Sequence, residues 1–185
     1  MTQPRKHTAR LLLAVLAALP GVPALAFDLD SDVPITVSAG NARLDDAQGV
    51  ATYTGEVELT QGQTRLTADR VVIHRDSEGL SRIEATGSPA HYRQPTEDGA
   101  GETDARAHTI TWSAQDRQLT FEGDAVIEQN GNLFRGDTIH YDTARRVVTA
   151  DGGQGTGAGN GRVEMVIQPR TTRQEQESDG STQGQ

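Results

Sequence analysis

The residues that could carry out chemistry are spread along the chain and form no recognisable catalytic pattern. The histidines beyond residue 26 are His74, His91, His108 and His140. No two of them stand at the short spacings that let neighbouring side chains hold one metal ion. The chain has no cysteine, so thiolate metal sites and disulfides are excluded. We therefore expect no metal site.

Nucleophilic and acid–base catalysis are equally poorly supported. No serine lies in a G-x-S-x-G motif. No close pair of carboxylates can be assigned as a general acid and a general base. Asp69 and Asp137 recur in equivalent positions, but such aspartates are more typical of turns and bulges than of ligand binding. There is no phosphate-binding loop. The sequence therefore predicts no catalytic residue, no enzymatic activity and no cofactor.

The chain is organised around an internal repeat, in which Tyr53–Asp69 recurs as Phe121–Asp137. Both copies have an aromatic residue two positions before a glycine, and both end with a small residue followed by aspartate. Each copy is typical of a hairpin followed by a third strand. The alternation of inward-facing and outward-facing side chains shifts by one residue at Asp69 and Asp137, so we expect a bulge or corner there.

The elements that would position these residues are short β-strands. Apolar and polar residues alternate along Val50–Thr60, which is the period of a half-buried strand. Asn130-Gly131 is a strong hairpin signal. After the N-terminal segment no stretch has helical periodicity. The sequence predicts an all-β domain of antiparallel strands, arranged as a stacked or rolled sheet pair and not as a closed barrel.

The N-terminal segment, residues 1–26, is interpreted as a signal peptide. Basic residues precede the apolar run Leu11–Leu19, and Ala24-Leu25-Ala26 has small residues where signal peptidase reads. Cleavage is expected between Ala26 and Phe27, because the apolar run is too short to span a bilayer. The predicted β-domain then covers residues 27–169. The polar stretch 170–185 is predicted to be a disordered tail.

Net charge limits the partners. Removal of the leader's three cations takes the formal net charge from −9 to −12. A strongly acidic exported chain is repelled by nucleic acid and by anionic membrane surfaces. We expect no nucleic-acid partner.

One set of inward-facing apolar residues would line a single interior. Many of their inward neighbours are alanine or glycine, so the interior could be a partly unfilled slot suited to acyl chains; a simple core is the alternative. The set comprises Ile35, Val37, Tyr53, Val57, Leu59, Leu66, Ile73, Tyr92, Trp112, Leu119, Phe121, Ile127, Phe134 and Tyr141.

An open sheet leaves terminal strands with unpaired backbone groups. Such edges accept strands from partners, and complementary edges would add copies head to tail. The predicted edge residues are Ile35, Thr36, Val37 and Ser38 near the N-terminus and Val163, Glu164, Met165, Val166 and Ile167 near the C-terminus.

An ordered set of short motifs over residues 32–169 resembles the LptA-type proteins of the OstA-like lipopolysaccharide transport family. The motifs are Pro34-Ile35-x-Val37, Tyr53-x-Gly55-x-Val57, Gln61-Gly62, Leu66-x-Ala68-Asp69-x-Val71, Gly87-x-Pro89-Ala90 and Gly136-Asp137-x-Ile139-x-Tyr141. The resemblance implies an open antiparallel β-jellyroll. It also implies a periplasmic bridge that carries lipopolysaccharide from the inner to the outer membrane.

The resemblance further implies an LptC-like partner at the inner membrane and an LptD-like partner at the outer membrane, both joined by edge-to-edge strand pairing. Lipid A acyl chains would lie in the apolar groove. The family positions that meet lipopolysaccharide correspond to Ile35, Val37, Tyr92 and Trp112, and inward-facing Leu119 and Phe121 would join them.

The chain departs from the family pattern in its glycine-rich tract, Gly152–Gly161, and in lacking lysine after Lys6. Two alternatives remain open. One is an LptC-like or LptD-like module of the same fold. The other is a secreted carbohydrate-binding or adhesin-like β-module, which would expose aromatic residues on its outer face.

Overall fold

A computed structural model describes residue 27 and residues 31–95, 101–145, 147–153 and 161–169. The predicted signal peptide and C-terminal tail lie outside these residues. Ten strands and no helix occur in the described part, which confirms the all-β prediction. They are β1 (Thr36–Ser38), β2 (Asn41–Asp45), β3 (Val50–Gln61), β4 (Thr64–Asp76), β5 (Gly79–Pro95), β6 (Glu102–Ser113), β7 (Gln118–Gln129), β8 (Asn132–Asp142), β9 (Val147–Asp151) and β10 (Glu164–Val166).

The strands form one continuous antiparallel sheet and not the sheet pair expected from the repeat. The six long strands β3 to β8 pair in chain order. β1 and β2 both pair with β3, whereas β9 and β10 both pair with β8. Each edge of the sheet therefore consists of two short strands. Within the described residues the two edges do not pair with each other, so the sheet is open.

A line of register shifts crosses the sheet at one level. It interrupts every pairing from β3–β4 to β7–β8, at Thr54/Val57, Thr67/Arg70, Thr86/Ala90, Arg106/Thr109 and Glu122/Ala125. Bulges bend a strand and increase its twist. Because these shifts are neighbours across the sheet, they act together as the bend that rolls it.

The predicted phase change at the aspartate of each repeat falls on this line. Gly55 and Glu56 of β3 together stand opposite Asp69 of β4. Both have positive φ, 85° and 47°, and Gly123 and Asp124 repeat this conformation at 80° and 51°. A glycine is suited to the first position of such a bulge because it has no Cβ to clash. The extra residue thus belongs to the strand beside the aspartate.

The bulges also explain why the strands are longer than the sequence suggests. Thr64–Thr67 and Pro89–Tyr92 are not separate short strands, because they continue through the bend as parts of β4 and β5. The predicted hairpin at Asn130-Gly131 joins β7 to β8. Both turn residues have positive φ, 51° and 78°, as a two-residue hairpin turn with matching twist requires.

Candidate functional site

One face of the rolled sheet buries nearly all of its apolar side chains. All fourteen residues of the predicted interior set belong to this single hydrophobic cluster. Ile35, Val37, Tyr53 and Phe134 are half-buried at its margin. The remaining members are buried, namely Val57, Leu59, Leu66, Ile73, Tyr92, Trp112, Leu119, Phe121, Ile127 and Tyr141.

The strand register arranges the apolar side chains into three rows that run across the strands. The first row runs from β1 to β10 through Val37, Leu59, Leu66, Tyr92, Ala105, Ile127, Phe134 and Met165. The second runs from β2 to β9 through Ala42, Tyr53, Val71, Ala85, Ile110, Phe121, Ile139 and Ala150. The third runs beside it through Leu44, Ala51, Ile73, Ile83, Trp112, Leu119, Tyr141 and Val148.

The rows follow from the pleat of the sheet. Alternate residues of a strand point to the same face, and antiparallel partners share that face. The first row lies on one side of the bend, and the second and third rows lie on the other. Each row is apolar from one edge of the sheet to the opposite edge, which is a geometry suited to long apolar chains.

The centre of the interior is closed to water. Leu59, Tyr92, Leu119 and Phe121 are all 0% exposed, so no space for a water molecule lies beside them. At these four residues the interior is a packed core, and the partly unfilled slot predicted from the sequence does not occur there.

Phe27 is an interior residue that the sequence prediction missed. Its only predicted role was at the signal cleavage site. Its ring is 1% exposed and stands edge-on to Trp112 and Tyr92, with centroids 6.0 Å and 6.2 Å away. Tyr92 in turn stands 6.4 Å from Phe121. The only available signal was an aromatic residue within an otherwise acidic stretch.

Tyr92 is fully buried and carries a polar group into the interior. Its hydroxyl donates a hydrogen bond to Gln94 Oε1 over 2.9 Å. Burial raises the pKa of Tyr92 well above its usual value, and the nearby Tyr141 raises it further. The phenol therefore remains neutral, and the interior carries no charge at this position.

The outer face of the sheet is ionic. Asp104 lies 2.8 Å from His91 Nε2 and 2.9 Å from Arg106. Arg93 contacts Glu102 over 2.8 Å. These residues alternate along β5 and β6 with inward-facing residues such as Tyr92. The described residues contain no group of three side chains able to hold a metal ion.

The two edges contain the predicted assembly residues. β1 and β10 are the outermost strands of the pairing order. Met165 and Ile167 are 53% and 68% exposed. An ion pair between Arg135 and Glu164, 3.2 Å apart, links β10 to β8. At the other edge, Gln61 Nε2 donates a hydrogen bond to the Val33 carbonyl over 3.0 Å. At both edges the short strands therefore pair with a long strand and leave apolar side chains exposed to solvent.

A comparison with known protein families shows which family this chain belongs to. The family model described as "LptA/(LptD N-terminal domain) LPS transport protein" matches residues 36–147, which is more than half of the chain. The chain belongs to this lipopolysaccharide transport family. The family resemblance read from the sequence motifs is thereby confirmed.

Individual relatives agree with the family. The chain is 38% identical over 173 residues to lipopolysaccharide export system protein LptH of Pseudomonas aeruginosa, covering 91% of this chain and 98% of the relative. It is 28% identical over 182 residues to lipopolysaccharide export system protein LptA of Escherichia coli, covering 97% and 95%. These LptA/LptD-family relatives are named as export proteins and not as enzymes.

A solved structure supports the fold. The crystal structure of P. aeruginosa LptH, titled the LptA homologous periplasmic component of the lipopolysaccharide transport device, superposes with a TM-score of 0.67 at 40% identity. The match covers 74% of this chain and 96% of that one. This LptA-type chain is an open antiparallel β-jellyroll. No helix among the described residues has the length and apolarity to cross a bilayer.

Proposed function

We propose that this chain is a non-enzymatic periplasmic bridge that carries lipopolysaccharide from the inner to the outer membrane. Its acyl chains lie against the apolar face of the rolled sheet, and its sugars stay outside. The cargo is supported by relatives named as lipopolysaccharide export proteins. The structural observation that supports this mode of binding is the set of three apolar rows, each running from one edge of the sheet to the other.

Movement of a lipid's acyl chains from water onto this face is driven by the hydrophobic effect, at about 0.8 kcal/mol for each buried methylene. The charged outer face offers no comparable gain. Energy for directed movement has to come from another protein, because no phosphate-binding loop is present to use a nucleotide. The chain thus holds and passes on lipid without changing it.

A photo-crosslinking experiment tests the interior. A photoreactive amino acid is placed at Leu59 or at Glu58, which are adjacent on β3 and point to opposite faces. In cells that make lipopolysaccharide, the Leu59 variant should label it strongly and the Glu58 variant weakly. Equal labelling at both positions would rule out binding on the apolar face.

We further propose that the bridge assembles edge to edge, with an LptC-like protein at one end, an LptD-like protein at the other and copies of this chain between them. The first row ends at Met165, 53% exposed, and the third row ends at Leu44, 59% exposed, on the opposite edge. These side chains are left in water by the monomer. Pairing of the two edges would bury them and extend the apolar rows into the next molecule.

The assembly is tested by sedimentation velocity at rising protein concentration. Met165→Asp places a charge on the end of the apolar row, whereas Val166→Asp places the same charge on the neighbouring residue of β10. We expect head-to-tail oligomers from the wild type and Val166→Asp and monomers from Met165→Asp. Equal oligomerisation of all three chains would exclude this interface.

The carbohydrate-binding or adhesin alternative is not favoured. The chain has seven aromatic residues, three Phe, three Tyr and one Trp. All of them belong to the interior cluster or pack against it. A sugar-binding module of this fold would need aromatic rings on the outer face, where this chain has ion pairs.

A further inference from the structure

Phe27 differs from the rest of the interior in how it is held. Every other buried hydrophobic residue of the described ranges lies on a strand and is fixed by the sheet. Phe27 precedes β1 and belongs to no strand. Its ring nevertheless is as buried as the core residues, at 1% exposure. Side-chain contacts therefore place it in the interior.

The position that Phe27 fills lies where the two sides of the bend meet. Tyr92 belongs to the first apolar row and Trp112 to the third, and the Phe27 ring contacts both edge-on at interplanar angles of 75° and 84°. Edge-to-face contacts of this kind are favourable but weak compared with strand pairing. A methylene chain can replace the ring, because it makes the same dispersion contacts with the aromatic walls.

We propose that the space between Tyr92 and Trp112 is an acyl-chain subsite, that Phe27 occupies it in the unloaded protein, and that an entering lipid A acyl chain displaces Phe27. The inference rests on the proposed lipid-binding function and adds a residue that competes with the lipid. Because Phe27 belongs to no strand, its departure breaks none of the described strand pairings.

The competition has a measurable consequence. The apparent dissociation constant equals the intrinsic one divided by the fraction of open protein, so an interior that Phe27 fills about nine-tenths of the time binds lipid about tenfold more weakly. Phe27→Ala removes the competitor. Val33→Ala is the control, because Val33 is an exposed apolar residue of the same N-terminal segment.

The test uses the mature chain and a short-chain lipid A analogue below its aggregation concentration, with binding followed by calorimetry. We expect Phe27→Ala to bind about tenfold more tightly than wild type, and Val33→Ala to bind as wild type does. Unchanged or weaker binding by Phe27→Ala, with wild type still binding, overturns the inference and leaves the proposed function intact. Absence of binding by all three chains overturns both.

A second measurement follows Phe27 in the wild-type sequence. Fluorinated phenylalanine gives three ¹⁹F signals, one for each phenylalanine, and Phe27→Leu assigns the first of them. Addition of the analogue should move the Phe27 signal to its solvent-exposed position while Phe121 keeps a buried one. A Phe27 signal that stays buried at saturation refutes displacement.

Discussion

Leu119 and Leu44 lie on the same apolar row and allow one substitution to be compared in two environments. Leu119 on β7 is 0% exposed, whereas Leu44 on the edge strand β2 is 59% exposed. Leu119 is flanked on its row by Trp112 and Tyr141. The test is Leu119→Ala against Leu44→Ala. It tests how tightly the interior around Leu119 is packed.

The expected magnitudes differ severalfold. Truncation of a fully buried leucine in a packed core lowers the free energy of unfolding by about 2.7–5 kcal/mol, because the lost transfer energy and the cavity add. Burial of a whole leucine side chain is worth about 1.5–3 kcal/mol. Since less than half of Leu44 is buried, its truncation should cost about 1 kcal/mol or less.

The assay is urea unfolding followed by far-UV circular dichroism, because the fluorescence of Trp112 would itself respond to a change at its neighbour Leu119. With a slope of about 2 kcal/mol/M, the midpoint for Leu119→Ala should fall by about 1.4–2.5 M. A loss below about 1.5 kcal/mol would refute a packed interior, because it would be smaller than even the transfer term of a fully buried leucine. The slot predicted from the sequence would then already be open.

Two further predictions concern the turn glycines and the buried phenol. Gly49→Ala should lower the free energy of unfolding by more than about 1 kcal/mol, because Gly49 has φ of +65° and a Cβ there would clash with the Arg75 carbonyl oxygen. Gly40→Ala, whose Cβ would lie 3.5 Å from its nearest neighbour, should be nearly neutral in the same urea unfolding assay. Burial raises the pKa of Tyr92, so the unfolded chain ionises first, and the stability that the neutral phenol provides below about pH 10 is lost as pH rises through the folded pKa. Stability measured from pH 9 to 11 should therefore fall less steeply in Tyr92→Phe than in wild type, and parallel curves would contradict this.

Most of what could be predicted from the sequence came from the local alternation of apolar and polar residues along each strand. The pleat forces every second side chain of a strand onto one face, so inward-facing residues such as Leu59 and Phe121 could be assigned without knowing their partners. The parity change at Asp69 was visible for the same reason. The sequence did not show that Gly55 and Glu56 on the neighbouring strand supply the extra residue, because that depends on pairing.

Residues whose environment is set by distant parts of the chain escaped prediction. Leu44 and Trp112 occupy equivalent positions in the repeat, yet Leu44 is exposed because β2 lies at the sheet edge. Which strand lies at an edge is a property of the whole sheet and not of the local pattern. Phe27 lies in no periodic segment, so nothing local indicated that its ring packs against Tyr92 on β5.

The arrangement of the rows connects the two proposed activities. A lipid chain lying along a row runs across the strands, and the row stops at an exposed residue at the sheet edge, Leu44 or Met165. In a monomer, a chain that moves along a row meets water at that point and loses about 0.8 kcal/mol for each methylene that leaves. A neighbouring molecule paired at the edge removes this barrier by continuing the row. If copies pair as proposed, carriage of acyl chains therefore depends on assembly, and a variant that fails to assemble should still bind lipid but fail to hand it to a second copy.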